Sequence, residues 1–367
     1  MMTRKAFIGS AAVVAAGSVA YGYSSSRSSD ENHAAATRNT WRHSETPIAG
    51  DAALKRELVR YATLAPSSHN TQCWKFHIGL AEISILPDMA RRCPAVDPDD
   101  HHLFVSLGCA TENLVQAALA SGHSASPRLD ATTGEITMAF EATKPSASLL
   151  YQAIPERQCT RSEFDGMAIS AEELRLLEQA GTGDGVQLIL LTDAKAIEKI
   201  LEYVAAGNTV QMNDPAFVEE LKTWIRFGKD EAVHTGDGLF SGSSGNASVP
   251  RWIGSRLFDM FYTAKSENEK YAHQLRSSAG IAIFVSDLND KAHWIAAGRS
   301  YQRFALQATA LGIRNAMINQ PVEVQTLRPQ LATYFGIGNR RPDLVVRFGR
   351  GPLMPRSMRR PVDEVLV

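Results

Sequence analysis

Pro66-Ser67-Ser68-His69-Asn70-Thr71-Gln72-Cys73-Trp74-Lys75-Phe76 is the stretch from which the fold is read. Before it, Leu54, Leu58, Tyr61, Ala62 and Ala65 recur at helical spacing. After it, Phe76, Ile78 and Leu80 alternate as in a strand. A proline that stops a helix, followed by two hydroxyls, an amide pair and a tryptophan, concentrates side-chain donors in one helix-to-strand turn. Such a turn can hydrogen-bond the edge of a flat polar heterocycle while an indole packs nearby. The same residue types also build an ordinary Ser/Asn-rich turn that holds no ligand.

The 367 residues give room for one large or two average domains. With 44% hydrophobic and 21% charged residues, the composition is that of a soluble globular protein. A formal net charge of -1 argues against nucleic acid or an acidic membrane as the main partner. Cys73, Cys93, Cys109 and Cys159 form no C-x-x-C pair, so buried free thiols are expected rather than a zinc ribbon or a disulfide framework.

Residues 1–20 place Arg4 and Lys5 before a mild apolar run, with Ser18-Val19-Ala20 as a small-x-small cleavage candidate. The run is short for a bilayer span. Thr3-Arg4-Lys5-Ala6-Phe7-Ile8 resembles a twin-arginine export signal, with Lys5 standing for the second arginine. That resemblance implies an exported, periplasmic or membrane-associated protein handled by the export machinery. A Sec signal, an uncleaved anchor and a cytoplasmic chain with an apolar N-terminus are the alternatives. Residues 21–50 are poor in large apolar side chains and read as a flexible linker.

Asp97-Pro98-Asp99-Asp100-His101-His102 admits two readings, a metal cluster or a solvated helix N-terminus whose aspartates cap free N–H groups. The second is preferred, since no spaced ligand partner is visible elsewhere, and no metal is assigned. The helix that follows, residues 102–122, carries small residues on nearly every turn. Gly108 and Gly298, Ala118 and Ala308, Ala120 and Ala310, and Gly122 and Gly312 share one offset of 190 positions, which points to an internal duplication. A strand is expected after each copy of this helix, at 126–129 and 314–318. Other strands are expected at 82–86, 186–191, 280–286 and 344–348, and helices at 146–154, 171–180, 193–206 and 215–224. Residues 228–250, containing Gly236-Asp237-Gly238 and Ser241-Gly242-Ser243-Ser244-Gly245, read as a long lid-like loop.

The opening string resembles the Pro-Ser-x-x-Asn-x-Gln-Pro-Trp signature of FMN-dependent nitroreductases, with Cys73 in the usual proline position. Arg157-Gln158-Cys159-Thr160-Arg161 is similar to that family's phosphate-holding Arg-Arg-Ser/Thr-x-Arg run, with Gln158 and Cys159 as departures. Arg359-Arg360-Pro361 resembles a second element that approaches the same phosphate. Asn319-Gln320-Pro321 stands where the family contacts the reactive flavin edge, and is also a natural helix N-terminal turn.

Ordinary nitroreductases are homodimers with flavin at the subunit interface. Here the Ser-Ser-x-Asn string lies in the first half and the better arginine run in the second. Trp41-Arg42-His43-Ser44 and Ala180-Gly181-Thr182-Gly183 are the poor counterparts. The whole resembles the Acg-like fused branch of the superfamily, over residues 51–367.

The resemblance implies an α+β, three-layer α/β/α fold, with two pseudo-repeats fused around mixed sheets. The halves would be 51–150 and 151–367, the latter carrying the insertion at 228–250. It implies a monomeric pseudo-dimer with one FMN site, held by Ser67, Ser68, Asn70, Gln72, Arg157, Gln158, Thr160, Arg161, Asn319, Gln320, Arg359 and Arg360. It further implies ping-pong hydride transfer from NAD(P)H to a nitroaromatic, quinone or similar small aromatic acceptor, with no catalytic side chain assigned. The rival reading is a lidded flavin-sequestering protein with little turnover.

Overall fold

The computed structural model describes residues 28–44 and 48–367. The signal-like segment and the first part of the expected linker lie outside the described residues. The first half contains α1 (residues 28–40), α2 (Asp51–Thr63), β1 (Trp74–Ile78), β2 (Glu82–Pro87), α3 (His101–Ala120), β3 (His123–Leu129) and β4 (Ile136–Ala142). A short helix, α4 (Leu149–Ala153), leads to the second half. That half opens with α5 (Ala171–Gly181), β5 (Val186–Leu191), α6 (Ala194–Met212) and α7 (Pro215–Trp224). It continues with β6 (Ile225–Arg226), α8 (Lys229–Thr235), β7 (Leu239–Phe240), α9 (Arg251–Phe261) and α10 (Ala264–Arg276). It closes with β8 (Gly280–Ser286), α11 (Lys291–Ala310), β9 (Arg314–Met317), α12 (Gln320–Glu323), α13 (Arg328–Tyr334) and β10 (Arg341–Gly349).

Each half owns one four-stranded antiparallel sheet, ordered β1-β2-β4-β3 and β5-β8-β10-β9. Counted within its own half, each order reads first, second, fourth, third, and each long helix lies between the second and third strands. The parallel component of the mixed sheets is confined to the small β6–β7 pair and to isolated bridges. One of these joins the C-terminal tail (Leu366) to Phe76 on β1; another joins Cys159 to Asn315 on β9.

The second sheet is the filling of an α/β/α sandwich. Ala282 and Phe284 of β8 face the core built on α5 and α11. Ile281, Ile283 and Val285 face a second core with α6, α10 and α13. That explains why β8 and β10 are apolar along their length rather than alternating: both faces are covered. The first sheet rests one face on α2 and α3 and leaves β3 half exposed.

The two long helices cross at paired glycines. A Cβ on Gly108 would lie 2.1 Å from the Ile295 carbonyl oxygen, and one on Gly298 would lie 2.0 Å from that of Val105. Val105 and Ile295 are themselves 190 positions apart, so each helix presents the same two positions to the other. This reciprocity is what a two-fold interface looks like inside one chain. Among the described residues α3 alone is long and apolar enough to cross a membrane, and it is largely buried in this core.

Three expectations are corrected. Residues 28–40, expected as flexible linker, form α1. His33 packs on Phe240, Ala36 joins the cluster of Ala232, Phe240 and Met358, and Trp41 Nε1 donates to the Ser357 carbonyl (2.9 Å). The insertion at 228–250 is not a bare loop but carries α8, β7 and a 3-10 turn at Ser241–Ser244. The strand β4 and helices α9 and α10 were not expected.

Candidate functional site

The turn after α2 is strained. His69, Asn70 and Gln72 have φ of 47°, 54° and 53°, three of the five non-glycine residues with positive φ among the described residues. Such conformations persist only where the surroundings over-determine them. Here the Gln72 amide N–H donates to Ser67 Oγ (2.9 Å) and the Ser68 N–H to Ser106 Oγ on α3 (3.3 Å). Asn70 Nδ2 donates to the carbonyls of Gly238 and Met358, and its Oδ1 accepts from Arg359 Nη1 (2.8 Å). Gln72 Nε2 donates to the Gly236 carbonyl (2.8 Å), while its Oε1 accepts from the Arg360 N–H (2.9 Å). The insertion and the C-terminal tail therefore clamp the turn from two sides.

Beside it lies a cavity of about 700 Å³, within the range of small-molecule and cofactor sites. Its lining comes from both halves. Ser67, Ser68 and His69 enter from the turn, His102 from α3, Arg161 from the strap before α5, and Asn319, Gln320 and Glu323 from the β9–α12 corner. Phe217, Leu221, Phe227, Phe258 and Phe261 supply an apolar part of the lining, and Leu239, Ser241, Ser244, Asn246, Ala247 and Val249 of the insertion also line the space.

Of the twelve expected cofactor residues, five line this cavity: Ser67, Ser68, Arg161, Asn319 and Gln320. The other seven do not, and the reason is their hydrogen bonding. Asn70 and Gln72 spend their amides on the clamp just described. Arg359 donates to the carbonyls of Thr63, Leu64 and Ala65, closing the C-terminal end of α2. Arg360 Nη2 donates to the Glu364 carbonyl (2.6 Å). Arg157 is 2% exposed and donates to the Leu64 carbonyl (3.1 Å). Gln158 exchanges hydrogen bonds with the Met354 backbone, and the Thr160 N–H donates to the Asn315 carbonyl. These residues hold backbone and are absent from the cavity lining. Trp74, expected near a ligand, is fully buried in the core.

Arg161 is different. It lines the cavity, and among the described residues its guanidinium has neither an ion-pair nor a hydrogen-bond partner. Its backbone is held rigidly: Arg347 donates to the carbonyls of Thr160 and Ser162 on either side, and Gln274 Nε2 donates to that of Arg161 itself (2.6 Å). An oriented cation facing a cavity is a receptor for an anion. Two further polar atoms of cavity-lining residues, His69 Nδ1 and Gln320 Oε1, are buried without partners. Burial, with Arg161 and His102 adding to it, holds His69 down at about 4, so it is neutral at pH 7. Gln320 Nε2 donates to Tyr271 Oη (2.7 Å), fixing which way its free oxygen points.

The Asp/His segment, expected as a solvated helix end, is divided: Asp97, His101 and His102 are buried, while Pro98 is exposed and Asp99 and Asp100 are partly exposed. His101 is 0% and Asp97 4% exposed. Capping does occur, since Asp97 Oδ2 accepts from the Leu103 N–H (3.0 Å). The ligand-type atoms of Asp97, His101 and His102 lie within 4.8 Å of one another. The two imidazoles, however, are already bonded to each other, with Nδ1 atoms 3.0 Å apart. Sequence reasoning missed His102 and Glu323 as site residues; the dense Asp/His spacing was the available signal. It also missed the aromatic wall of α9, for which the sequence carried none.

No protein-family model matches the chain. Two proteins of Mycobacterium tuberculosis, from strains CDC 1551 / Oshkosh and H37Rv, are each 26% identical over 332 residues, spanning 86% of this chain and 92% of their own length. Each carries a provisional name as an NAD(P)H nitroreductase. The chain is similar to NAD(P)H nitroreductases. Among solved structures, an FMN-bound nitroreductase of Bacteroides fragilis overlaps 57% of this chain and 94% of its own, with 16% identity and a TM-score of 0.37. The nitroreductase NfnB of Mycobacterium smegmatis, in complex with NADPH, overlaps 55% and 87%, with 14% identity and a TM-score of 0.36.

Proposed function

We propose that the cavity binds FMN and that the chain is an NAD(P)H-dependent oxidoreductase of the nitroreductase superfamily, acting on a nitroaromatic, quinone or similar small aromatic acceptor. The observation that carries this reading is Arg161, an unpaired, backbone-braced cation in a cavity shared by the two halves. It suits a phosphate. The free Gln320 oxygen and the hydroxyls of Ser67 and Ser68 suit the polar edges of a ribityl chain and ring. Bound FMN would supply hydride acceptance from the nicotinamide and hydride donation to the second substrate. The chain's own contribution is to fix the phosphate at Arg161, to hold the strained turn against the ring, and to offer the apolar α7 and α9 lining to a flat acceptor.

The one-sided assembly favours a fused pseudo-dimer of the Acg-like kind, working as a monomer with one flavin site. The N-terminal segment favours export. A second reading has one observation of its own: Leu239, Ser241, Ser244, Asn246, Ala247 and Val249 of the insertion line the cavity and suit a cover that sequesters the flavin. Absorbance spectroscopy separates the readings. The purified protein should show an oxidised-flavin band, and NADH or NADPH should bleach it in stopped flow. Bleaching by dithionite alone would leave the sequestering protein, and a colourless protein that takes up no FMN would remove both.

A further inference from the structure

A hydrogen-bonded chain with a defined direction runs from the interior to the cavity. Its inner end is Asp343 on β10, with a side chain 0% exposed. Asp343 Oδ2 accepts from the Ser286 N–H on β8 (2.8 Å), and its Oδ1 lies 2.8 Å from His101 Nε2. A carboxylate there requires the hydrogen of His101 on Nε2 and leaves Nδ1 as a lone pair. His102 Nδ1, 3.0 Å away, then carries the next hydrogen, and His102 Nε2 is a lone pair. The far end agrees independently. Asn319 Oδ1 accepts from the Val345 N–H (2.9 Å), so its Nδ2 must be the group that faces His102 Nε2 at 3.2 Å. His102, Asn319 and Glu323 line the cavity, whereas His101 and Asp343 do not.

We propose that Asp343, His101 and His102 form a proton relay, and that His102 Nε2 hands the proton to the molecule being reduced in the cavity. The inference rests on the reductase reading of that cavity. A quinone that receives a hydride from the reduced flavin, two electrons and one hydrogen nucleus, needs one further proton to become a hydroquinone. In the loaded form the proton sits on Asp343. Asp343 donates to His101 Nε2, His101 Nδ1–H donates to His102 Nδ1, and His102 Nε2–H points to the cavity, 3.7 Å from Glu323 Oε1 and beyond hydrogen-bond reach of it. Delivery breaks the His102 Nε2–H bond and forms the O–H bond of the product. His102 Nδ1 takes the proton of His101, and His101 Nε2 takes that of Asp343. The sequence ends with Asp343 as a carboxylate and both imidazoles neutral, and the same links between the three side chains hold before and after.

The carboxylate form suits every contact, whereas in the loaded form His102 Nε2–H faces the Asn319 Nδ2 donor at 3.2 Å, so that hydrogen is held weakly until an acceptor in the cavity takes it. Arg341 Nε lies 3.9 Å from Asp343 Oδ1, and Arg328 on α13 also favours the carboxylate, while burial opposes it more strongly and raises this group to about 7. Burial, with His102, Arg341 and Arg328, pushes His101 well below its usual value, so an imidazolium is avoided there. Trp294 packs edge-on against His101 at 5.4 Å. His102 is faced by Asp97 Oδ1 at 3.9 Å, by Glu323 and by His69. Glu323, raised by burial, accepts from Gln211 Nε2 (2.7 Å) and feels Arg328 and Asp97.

The test combines side-chain 15N NMR of the histidines with rapid kinetics on flavin-loaded protein, using 2-methyl-1,4-naphthoquinone as acceptor. In wild type, His102 should change from the Nε2–H to the Nδ1–H tautomer as pH rises through about 7, with or without flavin. Asp343→Asn should abolish that change and flatten the pH dependence of quinone reduction. His102→Gln should slow the quinone step about 100-fold, the lower end of general acid catalysis, a loss well beyond any it causes in flavin reduction by NAD(P)H. A His102 tautomer constant from pH 5 to 9, an Asp343→Asn profile that still breaks near 7, or a stoichiometric divalent metal on the purified protein would overturn the relay. A protein that takes up no FMN under any loading condition would overturn the reductase reading and with it proton delivery to a substrate, even if the His102 switch showed the hydrogen-bonded chain itself to be intact.

Discussion

The two halves share a sheet order, a central helix and a reciprocal crossing, yet they differ at the connection between their first helix and first strand. In the first half, residues 64–73 form the strained turn clamped by the insertion and the tail. In the second, residues 182–185 make a short turn in which Gly183 and Gly185 adopt φ of 126° and 75°. A similar divergence is seen where α3 meets α11. Gln302 Nε2 donates to Asn113 Oδ1 (2.6 Å), and the equivalent pair seen from the other side is Arg303 with Glu112 at 3.4 Å. The positions that set backbone distance have stayed two-fold, while the positions that carry polar chemistry have not. Packing constrains both copies equally, because each glycine is pressed against the other helix; one site needs only one set of ligand-facing groups.

The comparison breaks most visibly at the glycines. Gly108→Ala and Gly298→Ala should each cost about 3 kcal/mol or more, at the upper end of overpacking, because the contact is with backbone that cannot rotate away. Urea unfolding should give near-equal losses for the two. Tolerance of one alone would show that the crossing is not two-fold.

The shared offset of the two glycines was legible in the sequence, but that the two helices cross at them was not, because the offset does not say which elements meet. The apolar strands of the second sheet were legible too, as short runs bounded by turns. The strand β4 was missed although its pattern was present: Ile136, Met138 and Phe140 alternate with Thr137, Ala139 and Glu141, as a half-exposed strand does. The site divided along a physical line. Motif residues were found, but the sequence does not say which polar side chains face a ligand and which hold backbone. Asn70 and Gln72 look like ligands until their partners at Gly236, Gly238 and 358–360, far off in sequence, are known. His102 was undervalued for the opposite reason, since burial of His101 and His102 depends on α12 and β10.

The strained turn can be tested through His69, whose counterpart connection has no titratable imidazole. Its folded value of about 4 lies below the unfolded 6.5, so the folded state binds fewer protons between those values. Its contribution to stability is complete above pH 6.5 and is lost as pH falls towards 4, by no more than roughly 3 kcal/mol. His69→Asn keeps a residue that tolerates positive φ. The difference in unfolding free energy between wild type and variant should therefore narrow or reverse in favour of the variant on acidification from pH 6.5 to 4. A difference that stays constant over that range would mean that His69 is not held neutral by the cavity.

The finest distinction is between an arginine that faces the cavity and one that holds backbone. Arg161→Ala should weaken FMN binding by about 1.5–3 kcal/mol, the value of a hydrogen bond to a charged group, with the unfolding free energy little changed. Among the described residues no hydrogen bond or ion pair depends on that guanidinium, and Arg347 and Gln274 hold the backbone around it. Arg359→Ala should do the reverse first. It strips donors from three carbonyls at the end of α2 and from Asn70, so the unfolding midpoint should fall and flavin affinity should follow only as the turn loosens. Isothermal titration with FMN alongside urea unfolding reads both quantities on both variants. Equal losses of affinity with no loss of stability in Arg359→Ala would place that arginine on the phosphate and extend the site to the C-terminal tail.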